Sequence, residues 1–152
     1  MKKNTLFLIL LILAVLLAGC GTASTDEKEL NGTAVYKDFT LVLGEAERFS
    51  DDRGKNLVRI SAAYTNASQD PCYAFSCFAV RAFQNDKQIA DISDVNKGEA
   101  ALIREIKNGE TIEVSYVFVL ENESAALEIL VGEPTAEMAT IARKLYEQLL
   151  FK

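Results

Sequence analysis

Three cysteines are the residues of this sequence best suited to covalent or metal chemistry. Cys72 and Cys77 lie close together in the run CYAFSC, directly after Pro71. In a straight strand their α-carbons would be about 16 Å apart, so a disulfide requires the chain to bend between them. Two interpretations remain open: a disulfide between Cys72 and Cys77, or a pair of small buried thiols. A zinc site is disfavoured, because two sulfur ligands without a histidine or a second cysteine pair are too few.

The chain contains no histidine. Histidine is the commonest general base near neutral pH, and neither a Ser-His-Asp nor a Cys-His arrangement can be built without it. Acidic residues that could supply oxygen ligands to calcium occur in two groups: Asp51 with Asp52, and Asp91 with Asp94 and Glu99. Neither group has EF-hand spacing, and acidic turns are ordinary. We therefore expect a protein that is not an enzyme and has no cofactor and no metal.

The third cysteine, Cys20, follows a short apolar segment. Lys2 and Lys3 precede an unbroken apolar run from Leu6 to Ala18, a pattern typical of a secretory signal peptide. As a helix this run would rise only about 20 Å, too little to span the membrane core stably. The sequence LAGC that ends at Cys20 resembles the lipobox of bacterial lipoproteins. The resemblance implies cleavage before Cys20 and a diacylglyceryl group on its sulfur, which would anchor the protein to a membrane.

These features divide the start of the chain into a signal peptide, residues 1–19, and a lipidated tether, residues 20–31. The tether is small and polar and shows no apolar periodicity, which indicates a flexible segment. We expect an exported protein on the outer face of the cytoplasmic membrane, held to membrane lipid through acylated Cys20. The formal net charge is −6. Negative charge repels polyanions, so nucleic acid is not an expected partner.

From Thr33 onward, apolar residues recur mainly with a period of two. In the run LVRISAAYTN every second residue from Val58 to Tyr64 falls on one face, and the run TIEVSYVFVL alternates in the same way. Turn sequences separate such runs, among them DDRGK, Asn85-Asp86 and Lys107-Asn108-Gly109. About seven short strands at this spacing predict a mainly β protein, an antiparallel sandwich over residues 32–133.

The order of these runs resembles a small immunoglobulin-like domain of unknown function that occurs in lipoproteins of Gram-positive bacteria. Its features are a strand that ends in a Thr-Asn turn, here Thr65-Asn66, and an aromatic-rich run that ends Ala82-Phe83-Gln84. An Asn108-Gly109 turn then precedes an alternating strand. The resemblance covers roughly Val35 to Val131. It implies an immunoglobulin-like fold and a location at the cell surface, and it implies no activity.

The pattern changes after Pro134. Between Thr135 and Phe151 a set of apolar residues recurs at helical spacing: Met138, Ile141, Ala142, Leu145 and Leu149. Because Thr135 is also a suitable N-cap, this spacing predicts an amphipathic α-helix over residues 134–152. Two interpretations of its apolar stripe remain open: the stripe packs on the sandwich, or it docks to a partner.

Three aromatic residues around the cysteines, Tyr73, Phe75 and Phe78, either pack in the core and at its edge or form a platform for sugars or peptides. The predicted binding surface consists of Tyr73, Phe75, Met138, Ile141, Leu145 and Leu149. We expect a non-enzymatic binding or interaction module whose partner is a protein, a small molecule or a glycan. The alternative is a structural or accessory subunit that docks to a membrane protein complex through the C-terminal helix.

Overall fold

The computed structural model describes residues 31–92, 101–135, 137–147 and 149. In chain order its strands are β1 (Thr33–Tyr36), β2 (Phe39–Ser50), β3 (Asn56–Asn66), β4 (Cys72–Tyr73), β5 (Ala79–Gln84), β6 (Lys87–Gln88), β7 (Glu105–Ile106), β8 (Thr111–Val119), β9 (Leu127–Gly132) and β10 (Thr140–Tyr146). A short 3-10 helix, Ala74–Ser76, follows β4. The predicted signal peptide and Cys20 lie outside the described residues. Within those residues, no helix has the length and apolar character needed to cross a membrane.

The strands form two four-stranded antiparallel sheets and a two-stranded ribbon. Sheet 1 has the order β1-β2-β3-β8, sheet 2 has the order β10-β9-β5-β6, and β4 pairs with β7. The predicted antiparallel β-sandwich is therefore confirmed. Counting β2 as strand A, the sheets follow the immunoglobulin arrangement, with A-B-E in one sheet and G-F-C-C′ in the other. Seven of the ten described strands have four or more residues.

The core lies between the two sheets and follows the alternation seen in the sequence. On β3, Val58, Ile60 and Tyr64 are fully buried, while Arg59 between them is exposed. Sheet 2 faces them with the buried residues Ala82, Leu127, Ile129 and Val131. Burial of each large apolar side chain contributes about 1.5–3 kcal/mol to folding, so the two inner faces hold the sandwich together.

The hairpin between β5 and β6 also forms as predicted. Asn85 and Asp86 have φ angles of 50° and 61°, which is the pair of positive values that a two-residue type I′ turn requires. Asparagine and aspartate tolerate this region better than most residues with a Cβ atom. The turn therefore fixes the register of Phe83 against Gln88.

The predicted C-terminal helix over residues 134–152 is wrong. Thr140–Tyr146 form β10, which pairs antiparallel with β9, and no α-helix is present in the described residues. A β-bulge at Ile141 separates two short stretches of strand alternation, and the combined spacing imitates a helical stripe. Helix propensity is a weak preference, and here the backbone hydrogen bonds offered by β9 override it.

Two side chains of β10 that point inward form hydrogen bonds to β2 and so connect the two sheets at one edge of the sandwich. Lys144 Nζ donates hydrogen bonds to the carbonyl oxygens of Leu43 and Gly44, both at 2.8 Å. The Tyr146 hydroxyl donates to the same Gly44 oxygen at 2.9 Å. These carbonyls lie at an irregularity of β2, where the register with β3 shifts between Leu43 and Ala46. Burial lowers the pKa of Lys144 below its ordinary value, although the nearby Glu45 carboxylate opposes this.

Candidate functional site

One end of the sandwich, which we call the aromatic end, is built from two segments that are distant in sequence. The segment after β3 and the segment before β8 meet in the β4–β7 ribbon, where Cys72 pairs with Ile106 and Tyr73 pairs with Glu105. A pairing of only two residues contributes little by itself, so other contacts must hold these segments in place.

A buried amide at the last residue of β3 supplies those contacts. Asn66 Nδ2 donates hydrogen bonds to the carbonyl oxygens of Asp70 and Ile106, both at 2.9 Å. Asn66 Oδ1 accepts from the Ser68 backbone N–H at 2.8 Å and from the Ser68 hydroxyl at 2.7 Å. Every hydrogen-bonding direction of the amide is therefore used, which links the two segments of the aromatic end.

The ribbon and the 3-10 helix turn two aromatic rings outward. Ala74 is fully buried, while its neighbours Tyr73 and Phe75 are 41% and 53% exposed. Their ring centroids are 5.9 Å apart and the ring planes are tilted by 33°. Of the three aromatic residues around the cysteines, Tyr73 and Phe75 are thus exposed side by side, whereas Phe78 is buried.

A shallow, polar depression of about 560 Å³ lies on the β7 side of this end. Its lining residues are Arg104, Glu105, Lys107, Asn108, Gly109 and Glu110. Arg104 and Glu110 form an ion pair, and Glu110 Oε2 also accepts a hydrogen bond from the Lys107 backbone N–H at 3.1 Å. Because Glu105 pairs with Tyr73 in the ribbon, the depression and the exposed rings belong to one surface.

Cys72 and Cys77, on the same segment as the rings, are free thiols, of which Cys72 is half-buried and Cys77 is buried. Tyr64 Oη is 3.1 Å from Cys72 Sγ in a hydrogen bond that either atom can donate. Burial raises the pKa of the Cys72 thiol, whereas the hydrogen bond from Tyr64 acts in the opposite direction. Burial also raises the pKa of Tyr64, with further increases from both cysteines, so its hydroxyl stays protonated. In the part of the chain that the structure describes, no group of three or more acidic or cysteine side chains is arranged to hold a metal.

The residues of the predicted C-terminal stripe do not form one surface. Met138 is buried, whereas Ile141 and Leu149 are half-buried and pack against the core. Leu145 is exposed on the outer face of sheet 2, where it lines a hollow of about 160 Å³ together with Phe83. The strand geometry of β10 separates these side chains, because alternate residues of a strand point to opposite faces.

The depression beside Tyr73 was not predicted from the sequence. The Lys107-Asn108-Gly109 turn was identified, but only as the start of β8. Its position next to Tyr73 depends on the pairing of β4 with β7, and neither two-residue strand has a periodic signal of its own. The Thr65-Asn66 turn is a sequence signal for such a contact. A polar residue at the end of a buried strand needs hydrogen-bond partners, and here Asn66 finds them in the segments on both sides of the ribbon.

The two sheets and their strand order define an immunoglobulin-type antiparallel β-sandwich. The chain belongs to the family described as a domain of unknown function, DUF5067, whose model matches residues 21–132. The matched span ends with β9, so β10 lies outside it. No protein with a curated description matches the sequence significantly.

Solved structures with the same fold come from several bacteria. A candidate lipoprotein from Staphylococcus aureus NCTC 8325 aligns with a TM-score of 0.64 at 18% identity, over 80% of this chain and 92% of that one. A β-sandwich protein from Clostridium difficile 630 aligns with a TM-score of 0.54 at 12% identity, over 76% and 89%. A candidate lipoprotein from Bacillus subtilis 168 has a TM-score of 0.56 at 11% identity, over 78% of this chain but 39% of that one. At such identities the likeness establishes the fold alone.

Proposed function

We propose that this protein is an exported lipoprotein, anchored through acylated Cys20, and that its sandwich is a non-enzymatic module that binds oligosaccharides at the aromatic end. The lipobox-like sequence LAGC supports the anchor. The membership in DUF5067 and the descriptions of the S. aureus and B. subtilis neighbours are consistent with such a location.

The observation that carries the binding proposal is the exposed pair of rings, Tyr73 and Phe75, beside a hydrogen-bonding depression. A sugar ring presents C–H groups on its faces and hydroxyl groups around its rim, so it needs an aromatic surface next to polar donors and acceptors. Tyr73 and Phe75 offer the aromatic surface. The Lys107 ammonium group can donate hydrogen bonds, and the Glu105 carboxylate can accept them.

The same surface favours binding over catalysis. The chain has no histidine. Of the two carboxylates in the depression, Glu110 is already paired with Arg104 and holds the Lys107 backbone. A carboxylate used in this way stabilises the loop and has little freedom to act as a general acid or base.

Binding is tested with a panel of immobilised neutral and acidic oligosaccharides, probed with the purified full chain. We expect Tyr73→Ala and Phe75→Ala each to weaken binding about tenfold, because each removes one stacking surface. Leu145→Ala is the matched control, since Leu145 is 40% exposed, close to the 41% of Tyr73, but lies on another face. Oligosaccharide binding that survives both ring substitutions, or is lost equally in Leu145→Ala, would contradict the proposed site. Failure of the whole panel to bind would contradict the ligand class.

The anchor is tested separately by feeding cells an alkyne-tagged fatty acid and comparing the natural chain with Cys20→Ala. We expect label and detergent-phase partitioning only for the natural chain, because acyl chains carry the membrane affinity. Label that persists in Cys20→Ala would show that another residue is acylated.

An accessory-subunit function is a second candidate, but it cannot use a C-terminal helix. The observation that favours it is the hollow on the outer face of sheet 2, where Leu145 and Phe83 flank the ion pair of Arg143 with Glu128. A photo-crosslinking residue placed at position 145, compared with one at position 75, distinguishes the two candidates in cells. A single protein captured only from position 145 favours the accessory subunit, whereas no protein from position 145 favours the oligosaccharide module.

A further inference from the structure

We propose that Cys72 and Cys77 form a reversible disulfide that fixes the loop carrying Tyr73 and Phe75, so that the redox state of this pair regulates the aromatic end. The regulatory effect on ligand binding rests on the proposed function. Formation of the disulfide itself does not depend on it.

The bend that a bridge requires is provided by the 3-10 helix Ala74–Ser76. The Cys77 backbone N–H donates a hydrogen bond to the Ala74 carbonyl at 3.3 Å, which turns the chain back on itself. The Cys77 thiol donates to the Tyr73 carbonyl at 3.6 Å, which places the Cys77 sulfur against the residue that directly follows Cys72. The bend therefore brings the Cys77 sulfur back towards Cys72, as a disulfide between the two residues requires.

The two thiols differ in exposure in a way that assigns their order of reaction. Cys72 is half-buried and can be reached from solvent, whereas Cys77 is buried. Tyr64 lies against Cys72 at 3.1 Å, and its hydroxyl can donate a hydrogen bond to the thiolate. Tyr64 is thus a positioning residue that stabilises the reactive form of Cys72.

The oxidant is an external disulfide, either a small molecule or a thiol–disulfide exchange protein. The Cys72 thiolate attacks one sulfur, the external S–S bond breaks, and one thiolate leaves while the other half stays on Cys72 as a mixed disulfide. The Cys77 thiolate then attacks the Cys72 sulfur and displaces the second thiolate. Two cysteine thiols are oxidised, one external disulfide is reduced to two thiols, and the two cysteine protons pass to the leaving groups.

The redox state can be measured on the full chain without interference from Cys20. Trypsin cleaves after Arg59 and Arg81, so one peptide, residues 60–81, contains Cys72 and Cys77 and no other cysteine. The protein is equilibrated with oxidised and reduced glutathione, quenched with acid, alkylated and digested. We expect the unalkylated peptide to be lighter by two hydrogen atoms under oxidising conditions and to recover both alkylation sites after reductant. A doubly alkylated peptide, or one carrying only glutathione, under fully oxidising conditions would overturn the proposal.

The role of Tyr64 is tested by the rate of oxidation at neutral pH. Tyr64→Phe keeps the ring that stacks on Phe39 and meets Phe78 edge-on, and removes only the hydroxyl. We expect it to slow oxidation about tenfold, the effect of one lost hydrogen bond to the thiolate. Tyr116→Phe is the control, because Tyr116 is also buried but is not among the hydrogen-bond partners of either cysteine. Equal rates in the two variants would remove Tyr64 from the reaction.

Binding to the oligosaccharide panel then links the bridge to the site. We expect the oxidised chain to bind about fivefold more tightly than the reduced chain or Cys72→Ser, because the loop is ordered in advance. A bridge that forms without changing a measurable affinity would refute the regulation and leave the binding function intact. A bridge that forms in a chain that binds no oligosaccharide would refute the proposed function and leave the disulfide intact.

Discussion

Replacing Asn66 with alanine tests whether a buried amide holds the aromatic end in shape. The substitution removes four side-chain hydrogen bonds. The bond to the Ile106 carbonyl is buried, and that oxygen cannot be rehydrated without opening the ribbon. Leaving such an acceptor unsatisfied costs about 1–3 kcal/mol, and the three bonds nearer the surface contribute about 0.5 kcal/mol each. We therefore expect Asn66→Ala to lower the free energy of unfolding by about 3 kcal/mol.

The matched control is a second buried amide at the opposite end of the sandwich. Gln84 Nε2 donates to the carbonyl oxygens of Asn122 at 2.7 Å and Ala125 at 3.3 Å. Gln84 Oε1 accepts from the backbone N–H groups of Glu121 at 3.0 Å and Asn122 at 3.1 Å. Gln84→Ala therefore removes the same number of hydrogen bonds. The nine-residue strand β8 separates the two ends by about 30 Å, so Gln84→Ala should leave the aromatic end unchanged.

Urea denaturation and amide hydrogen exchange together give the test. Both variants should lose about 3 kcal/mol, equivalent to a fall in melting temperature of about 10 °C for a domain of this size. Only Asn66→Ala should speed exchange at residues 73–76, because Asn66, unlike Gln84, links the segment that carries both rings to the segment before β8. A loss below about 1 kcal/mol in Asn66→Ala, or equal acceleration at 73–76 in both variants, would refute the reasoning.

Three further predictions concern the rest of the sandwich. Burial raises the pKa of Tyr64, Tyr116 and Tyr146 above the ordinary value of 10.0. The folded state then keeps protons that the unfolded state releases, so the urea midpoint should fall as pH rises past about 10, and Tyr146→Phe should reduce that fall. The lowered pKa of Lys144 acts in the opposite direction and is outweighed by the three tyrosines. Gly132→Ala should lower the free energy of unfolding, measured by urea denaturation, by about 2–3 kcal/mol. The added Cβ atom would lie 2.6 Å from the Met138 side chain and 2.7 Å from the Ala139 carbonyl oxygen. A decrease of less than about 1 kcal/mol would refute this prediction. Asp86→Gly should increase the free energy of unfolding by about 0.5–1 kcal/mol and so raise the melting temperature slightly, since glycine adopts a φ of 61° without strain. A lower melting temperature would contradict this prediction.

The sequence predicted the sandwich because its long strands pack one face against a common core. The alternation from Val58 to Tyr64 and the turn at Asn85-Asp86 both result from interactions between near neighbours in the chain. The same reasoning failed for β10, where the bulge at Ile141 shifts the alternation by one residue. A periodicity that is interrupted in this way matches a helix as well as a strand, and only the partner strand decides between them.

Only the aromatic half of the candidate site could be predicted from the sequence, because the contacts that complete the site join distant parts of the chain. Tyr73 and Phe75 attract attention as large aromatic residues between two cysteines, whereas Arg104 and Glu110 look like ordinary charged residues of a turn. What unites them is the pairing of Tyr73 with Glu105 and the Asn66 hydrogen bond to Ile106. Contacts of this kind join residues about 30–40 positions apart, and no local pattern encodes them.

The hydrogen bonds that hold β10 to β2 limit the surfaces at which a partner can bind. Lys144 and Tyr146 direct their polar atoms at the carbonyl oxygens of β2, so the inner side of β10 is committed to closing the sandwich. A partner that used this segment as a helix would have to break these bonds and unpair β9, which a weak surface contact cannot compensate. The outer face near Leu145 and the aromatic end are accessible without unfolding any strand. Of these two surfaces, the aromatic end combines exposed rings and a polar depression with a thiol pair on the same segment, the features that an oligosaccharide ligand and a redox switch would each need.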